Sequence, residues 1–477
     1  MIATLLIAGV LAGAGPGSGR PGDDPKAFAV EKTNEQSGFM IRVTVDKPDR
    51  TYYEGEGMTV SIIPERDCYV YLLYYDAEGN IACLLPNEYQ QQNFLKAKAE
   101  YQVPAPNDSF RFRARAPFGD ELLQVVATLK PIDLFDGKRF TASGHATTLT
   151  FREIQKAMEV VQKEQDADVW AEARVPITTR PGGTQTQTQG PRPGPDQRQN
   201  SPSPHPDGKV GKRLAVCIGI SQFKDPRVPQ LRVCHQDAER VARMLQQKCG
   251  VDRVVLLTNE QATLAAMRKA IFEDLVRDSK PGDTVFIYFS GHGGRCADTN
   301  GDEPDGLDEY LVPYDGELGK PETMLIDDMF ARWMQDLDGR QVCIVLDNCY
   351  SGGSSKAIKG LGGPAQRFAR TATVDFFDGE LRRAKDLGQQ GTEVLAASQA
   401  DQIAWEMPTG EGSVMTFFVL QTVDDPKADT NRDGRLSLSE IYNAVKGQVE
   451  SYVQKTFNAD QNPVMIDNAN DAILLRP

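Results

Sequence analysis

The sequence predicts a two-part α/β protein: a mainly parallel sheet flanked by helices in the C-terminal half, and a separate N-terminal β-sandwich-like domain. Three observations predict it. Beyond residue 212, short apolar runs (RLAVCIGIS, RVVLLT, DTVFIYFS, QVCIVLDN, EVLAAS) alternate with helix-like stretches such as DAERVARMLQQKCG and LAAMRKAIFEDLVRD, the pattern of strands buried on both faces and joined by crossover helices. Between about 38 and 155 the period is instead that of short strands, β-branched and aromatic residues alternating with polar ones between turns such as AEGN. From Arg180 to Lys212 seven Pro, six Gly and a single Val leave nothing to bury, so chain entropy predicts a solvated linker.

Composition narrows the function. With 53 basic and 67 acidic residues the net charge is −14, which argues against a nucleic-acid surface and suits basic partners. Eight Cys in 477 residues do not make a disulfide scaffold. At the N-terminus an apolar run from Ile2 to about Ala14 ends in small residues. It is too short to span a bilayer and reads as an export signal over residues 1–20, implying a periplasmic or secreted protein. A disordered or buried N-terminal segment in a cytoplasmic protein is the alternative. No later stretch reaches membrane-spanning length without a charge.

The β-rich region carries no catalytic cluster: its His is His145, and Cys68 and Cys83 sit in strand-like runs as small hydrophobes. The linker's Arg180, Arg192, Arg198 and Lys209 would suit a protease that prefers basic residues.

In a doubly covered parallel sheet the site lies beyond the carboxyl ends of the strands. Two strand ends stand out there. DTVFIYFS runs into Gly291-His292-Gly293-Gly294, and QVCIVLDN runs into Cys349-Tyr350-Ser351-Gly352-Gly353. A thiol becomes a useful nucleophile beside an imidazole, and glycine turns let a substrate backbone approach free amide N–H groups. Of the four His, His205 falls in the linker, His145 in the β-domain and His235 opens a helix, leaving His292 at a strand end. Cys217, Cys343, Cys249 and Cys296 read as incidental thiols, and no C-x-x-C or H-x-x-x-H spacing suggests zinc.

Phe289-Ser290-Gly291-His292-Gly293 and Asp347-Asn348-Cys349-Tyr350-Ser351-Gly352 resemble the His and Cys motifs of caspase-like peptidases, and are closer to metacaspases and their bacterial relatives than to animal caspases. LRVCHQD (231–237), DGLDEYLVPYD (305–315) and SQADQIAWE (398–406) extend the resemblance over roughly 213–413. The β-rich region is similar in pattern to the accessory domain often fused to such bacterial peptidases. The resemblance implies a caspase-hemoglobinase-like fold over 213–477. It also implies Cys349 as nucleophile, His292 as general base and acid, and the amides of Gly293 and Cys349 as oxyanion hole. A pocket for Arg or Lys would comprise Cys234, Asp237, Ser290 and Asp347. Two carboxylates suit a guanidinium, although Asp237 alone could serve a helix N-terminus and Asp347 could orient its turn.

Two calcium sites are candidates. DTNRDGRLSLSE (429–440) matches an EF-hand-like loop, offering Asp429, Asn431, Asp433, the Arg435 carbonyl, Ser437 and Glu440, with Gly434 at the turn. A solvated acidic turn is the alternative there. By resemblance, Asp308, Asp327 and Asp328 match acidic calcium-binding positions of metacaspases, but Lys356 stands where a fourth ligand is expected. The expected function is therefore a cysteine endopeptidase acting on proteins after Arg or Lys, as a monomer, with calcium in a structural role and no organic cofactor. The alternative is a catalytically inactive calcium-binding adhesion or scaffold protein of the same fold. No G-x-S-x-G follows a strand, which argues against a serine hydrolase.

Overall fold

The computed structural model describes residues 3–7, 34, 37–87, 89–132, 147–164, 169–182, 211–298, 306–348, 391–399, 402–467 and 473–475. Cys349, Lys356, His145, His205 and residues 183–210 of the expected linker lie outside them. The chain divides into two compact units, one formed essentially by residues up to Gln199 and the other by the remainder.

In the first unit a largely antiparallel sheet runs in the order Thr147–Leu149, Ile81–Leu85, Cys68–Tyr75, Asp120–Thr128, Trp170–Arg180, Thr51–Tyr53. One face packs Val70, Leu72, Leu123, Val125 and Val175 against Ile41, Val43, Val60 and Ile62 of a second, three-stranded sheet. The other face is covered by the helix Phe151–Glu164 through Ile154, Met158 and Val161. The accessory domain therefore extends past 155: Trp170–Thr178 pairs with the whole of Asp120–Thr128 and Thr178–Arg180 with Thr51–Tyr53, so the Arg180 expected to open the linker ends a strand. Residues 3–7 of the expected export segment form a strand parallel to Phe110–Ala114.

The second unit is built on six strands, β1 (Arg213–Gly219), β2 (Arg253–Thr258), β3 (Thr284–Gly291), β4 (Gln341–Asn348), β5 (Thr392–Ala396) and β6 (Val464–Asp467). They lie in the order β2-β1-β3-β4-β5-β6, parallel throughout except for the antiparallel edge strand β6. Side chains alternate across the sheet. Val216, Ile218, Ile287, Phe289, Ile344 and Leu346 face one core with the helical segment 264–278 and helix α2 (Asp328–Asp336). Trp333 of α2 stacks edge-on against Phe330 and donates its indole N–H to the Ile271 carbonyl at 2.7 Å. Ala215, Cys217, Phe286, Tyr288 and Cys343 face the other core, covered by α1 (Cys234–Lys248), α3 (Val414–Val423) and α4 (Leu438–Phe457). Helices on both faces explain why these strands read as continuous apolar runs. Cys217, Cys343 and Cys249 are buried in this core, as expected of incidental thiols. No helix among the described residues is long and apolar enough to cross a membrane.

Helix α1 lies close on β1. A Cβ at Gly219 would come within 2.3 Å of the Cys234 carbonyl oxygen and 2.6 Å of Ala238 Cβ. Gly219→Ala should therefore cost about 1–3 kcal/mol of stability, read as a lowered urea midpoint with unchanged slope.

Candidate active site

Ser290 pairs with Asp347, and Gly291 with Asn348, at the carboxyl ends of β3 and β4. Alternation sends Ser290 and Asp347 to the same face as Tyr288 and Cys343, beneath α1 and α3. Asp237, in the first turn of α1, and Ser413, which precedes the first residue of α3, meet them there. All four side chains are fully buried.

Asp237 Oδ2 accepts the Ser413 backbone N–H at 2.8 Å and lies 2.7 Å from Ser413 Oγ. That hydroxyl is also 2.5 Å from Asp347 Oδ2. Thr416 approaches the same Asp347 oxygen with its N–H at 3.1 Å and with its hydroxyl, which is in turn 2.7 Å from the Tyr288 hydroxyl. Arg240, one turn along α1, reaches Asp237 Oδ1 at 3.3 Å and the Glu411 carbonyl. Gly412 makes room for this: at φ +144 its absent Cβ would lie 2.6 Å from Asp237 Oδ1. Asp347 Oδ1 and Ser290 Oγ, by contrast, are buried with no hydrogen-bond partner among the described residues. Burial, and then the Asp347 charge, push the Asp237 carboxyl up to about 7 against the pull of Ser413 and Arg240. Burial likewise raises Asp347.

His292 follows β3 directly and is buried, its ring 5.0 Å from that of Phe223. Its Nε2 lies 2.8 Å from the Pro229 carbonyl oxygen. A carbonyl can only accept, so Nε2 carries the hydrogen and Nδ1 is the nitrogen left to take a proton. Cys349 lies outside the described residues; in the sequence it follows Asn348, which pairs with Gly291. Asp237 is the acidic residue of the first turn of α1, and Glu406 accepts from the N–H groups of Arg232 and Val233 just before that helix at 2.9 and 3.2 Å. His235 begins α1 as expected and its Nδ1 contacts Ser221 Oγ at 2.8 Å.

The family model of the caspase domain, a peptidase family, matches residues 212–472, more than half of the sequence. This chain belongs to the caspase-domain family. A second family model, a domain of unknown function (DUF4384), matches residues 51–131 in the first unit. Metacaspase-1A of Aspergillus terreus is 31% identical over 278 residues, covering 51% of this chain and 65% of that protein. Metacaspase-1B of Aspergillus niger is 37% identical over 150 residues, covering 30% of this chain and 33% of its own length. The chain thus spans less than two thirds of either relative. Among solved structures, protein GSU0716 of Geobacter sulfurreducens matches with a TM-score of 0.39 at 21% identity, over 56% of this chain and 98% of that one.

Within the caspase domain, Asp308, Asp327 and Asp328 are buried, with carboxylate oxygens within 4.8 Å of one another. Asp327 accepts from the N–H groups of Glu309 and Asp328. Cys296 lies beside them, and burial together with these carboxylates pushes its thiol up to about 12. The loop 429–440 is arranged differently from the expected calcium site. Asp429 and Asn431 accept from the amides of Asp433 and Gly434, and Asp433 from that of Arg435. Glu440 takes both hydroxyl and amide donors from Thr430 and Ser437 and the amide of Asn431. Ser437 and Glu440 form the capping box of α4. Both Glu440 oxygens are committed, so these residues as they stand do not fit a bidentate calcium ligand.

Sequence reasoning missed Ser413, Thr416, Tyr288, Arg240 and Pro229. Ser413 stands before the apolar run VMTFFVL, an N-cap signal, but nothing in the sequence says that its hydroxyl serves two distant carboxylates.

A carboxyl raised in the folded state binds more protons folded than unfolded, so its contribution to stability is present at low pH and is lost as pH rises from about 4 to about 7. Compared with Asp237→Asn, the wild type should lose stability over this window at up to about 1.4 kcal/mol per pH unit, measured by urea unfolding at each pH.

Proposed function

We propose that the chain is a cysteine endopeptidase that cleaves after Arg or Lys, with Cys349 and His292 as the catalytic pair. The observation that carries the specificity is the pair of buried oxygens with no hydrogen-bond partner among the described residues, Asp347 Oδ1 and Ser290 Oγ, at adjacent strand ends beside Asp237. A buried polar atom without a partner costs free energy, and a guanidinium or ammonium supplies the missing donors. An acidic side chain would bring a further negative charge beside the Asp347 and Asp237 carboxyls. Cys234, buried in the first turn of α1, is assigned to the same pocket by the resemblance.

In the proposed reaction Nδ1 of His292 takes the Cys349 thiol proton while Nε2–H stays on the Pro229 carbonyl. The thiolate adds to the scissile carbonyl carbon, and the amide N–H groups of Gly293 and Cys349 receive the oxyanion. Collapse expels the amine, which takes the proton from His292 and leaves a thioester. Water, deprotonated by His292, then releases the acid and restores the thiol.

The trio Asp308, Asp327 and Asp328 is proposed to hold a calcium ion. Three buried carboxylates repel one another unless protonated or bound to a cation, and an all-oxygen donor set suits calcium. The ion would lend structural order.

Paired fluorogenic peptides ending in Arg and in Asp test the specificity. Arg turnover should exceed Asp turnover at least 100-fold, on the order of one well-made charge-assisted contact, and should vanish in Cys349→Ala and in His292→Ala with the fold intact by circular dichroism. Asp selectivity, or hydrolysis surviving in Cys349→Ala, would refute the assignment. For the ion, millimolar calcium should raise the Tm of the wild type by a few degrees, as about 1 kcal/mol of ligand stabilisation would. Asp327→Asn should abolish that shift.

A further inference from the structure

The oxygens of Tyr288, Thr416, Asp347, Ser413 and Asp237 form an unbroken chain. Its four oxygen–oxygen contacts are Tyr288 to Thr416, Thr416 to Asp347 Oδ2, Asp347 Oδ2 to Ser413, and Ser413 to Asp237 Oδ2. Each contact needs one hydrogen between the two oxygens, because bare oxygens this close repel. The three hydroxyls supply three. The fourth must be an acid proton on one of the carboxyls.

Only one distribution uses every hydrogen once while leaving Asp347 an acceptor of both hydroxyls: Tyr288 donates to Thr416, Thr416 and Ser413 donate to Asp347, and the acid proton sits on Asp237 Oδ2, directed at Ser413. We propose that the specificity pocket without substrate holds one proton on Asp237, bridged to ionised Asp347 by the positioning residue Ser413, and that a basic P1 side chain displaces this proton when it binds. The proposal rests on the peptidase reading above, and it adds a proton exchange to that pocket.

The charges around the pair support it. From α1 come Arg240 and the Cys234 thiol, from β3 Tyr288, from the segment before α3 Glu406, and from α3, among the described residues, the neutral Thr416. Glu406 is held by the amides at the start of α1 and an ion pair with Arg232. With Asp237 protonated, Arg240 and Asp347 cancel. With a P1 cation seated against Asp347 Oδ1 and Ser290, the pocket is again neutral only if Asp237 is ionised. Cation in and proton out keeps a buried site free of net charge, the arrangement that burial favours. The position of the Asp237 carboxyl, up to about 7, puts the exchange within the working range of a thiol peptidase.

The test uses the full chain carrying Cys349→Ala and an N-acetylated, C-amidated peptide with one internal Arg, which has no group of its own titrating between pH 6.0 and 8.5. Binding heats in phosphate and in Tris give the protons released. About 0.9 proton per peptide is expected at pH 6.0 and almost none at pH 8.5, with about tenfold weaker binding at the lower pH. Adding Asp237→Asn, whose amide can donate to Ser413 in place of the acid proton, should abolish the release and flatten the pH dependence. The same peptide with norleucine for Arg should release none. Binding of the Arg peptide with no buffer-dependent heat at pH 6.0 would overturn the shared proton while leaving the specificity intact. If wild type hydrolyses no Arg peptide at any pH and the variant binds none, the peptidase reading fails and this inference with it.

Discussion

The parallel pairing of β3 with β4, in the register that opposes Ser290 to Asp347, is the constraint on which the rest depends. A slip of one residue would send Asp347 toward the core that holds Trp333 and Phe330, because side-chain direction alternates along a strand. Among the described residues that core is lined by apolar side chains, which cannot satisfy a carboxylate. In the observed register both side chains meet the ends of α1 and α3, the two places on that face that offer backbone N–H groups, hydroxyls and a guanidinium together. The same pairing sets Gly291, which His292 follows, opposite Asn348, the last described residue before Cys349 in the sequence.

Much of this was legible in the amino-acid sequence because it depends on local periodicity. Runs such as DTVFIYFS and QVCIVLDN are apolar on both faces, and only a sheet covered twice explains that. The glycines around His292 marked where β3 had to end. Asp237, Ser290 and Asp347 lie together on one face, since their positions follow from strand ends and the first turn of one helix. What escaped was nonlocal. Ser413 lies 176 residues from Asp237 and 66 from Asp347, and no pattern in the chain announces that one hydroxyl joins them. The reach of the accessory domain escaped for a related reason: WAEARVPITTR contains a proline and several charges, and it becomes a long inner strand only because Asp120–Thr128 offers an open edge. The loop 429–440 shows the converse. Its residues spell a cation-binding turn, yet Glu440 is drawn into the capping box of its own helix, where hydrogen bonds one turn away compete with ligation.

The two acidic groupings differ in how their charge is balanced. Around Asp237 and Asp347 it is met by hydroxyls, amides, Arg240 and a proton, all supplied by the fold. At Asp308, Asp327 and Asp328 three carboxylates converge within a few ångströms, a density that backbone N–H groups alone do not neutralise. On the proposed reading, a cationic side chain would complete the first site and an ion the second.

The acceptor that orients His292 is a main-chain carbonyl, at Pro229. No side-chain substitution can delete it, so the tautomer is insulated from point mutation in a way that an aspartate partner would not be. Its position is set instead by the path of residues 221–231, which is pinned by Leu231 N–H on the Ser221 carbonyl, by Gln230 on both backbone groups of Phe223, and by Asp225 on Arg227 and the Leu318 amide. If His292 is the proposed base, catalytic competence becomes a property of loop shape, open to tuning from positions that never touch the imidazole.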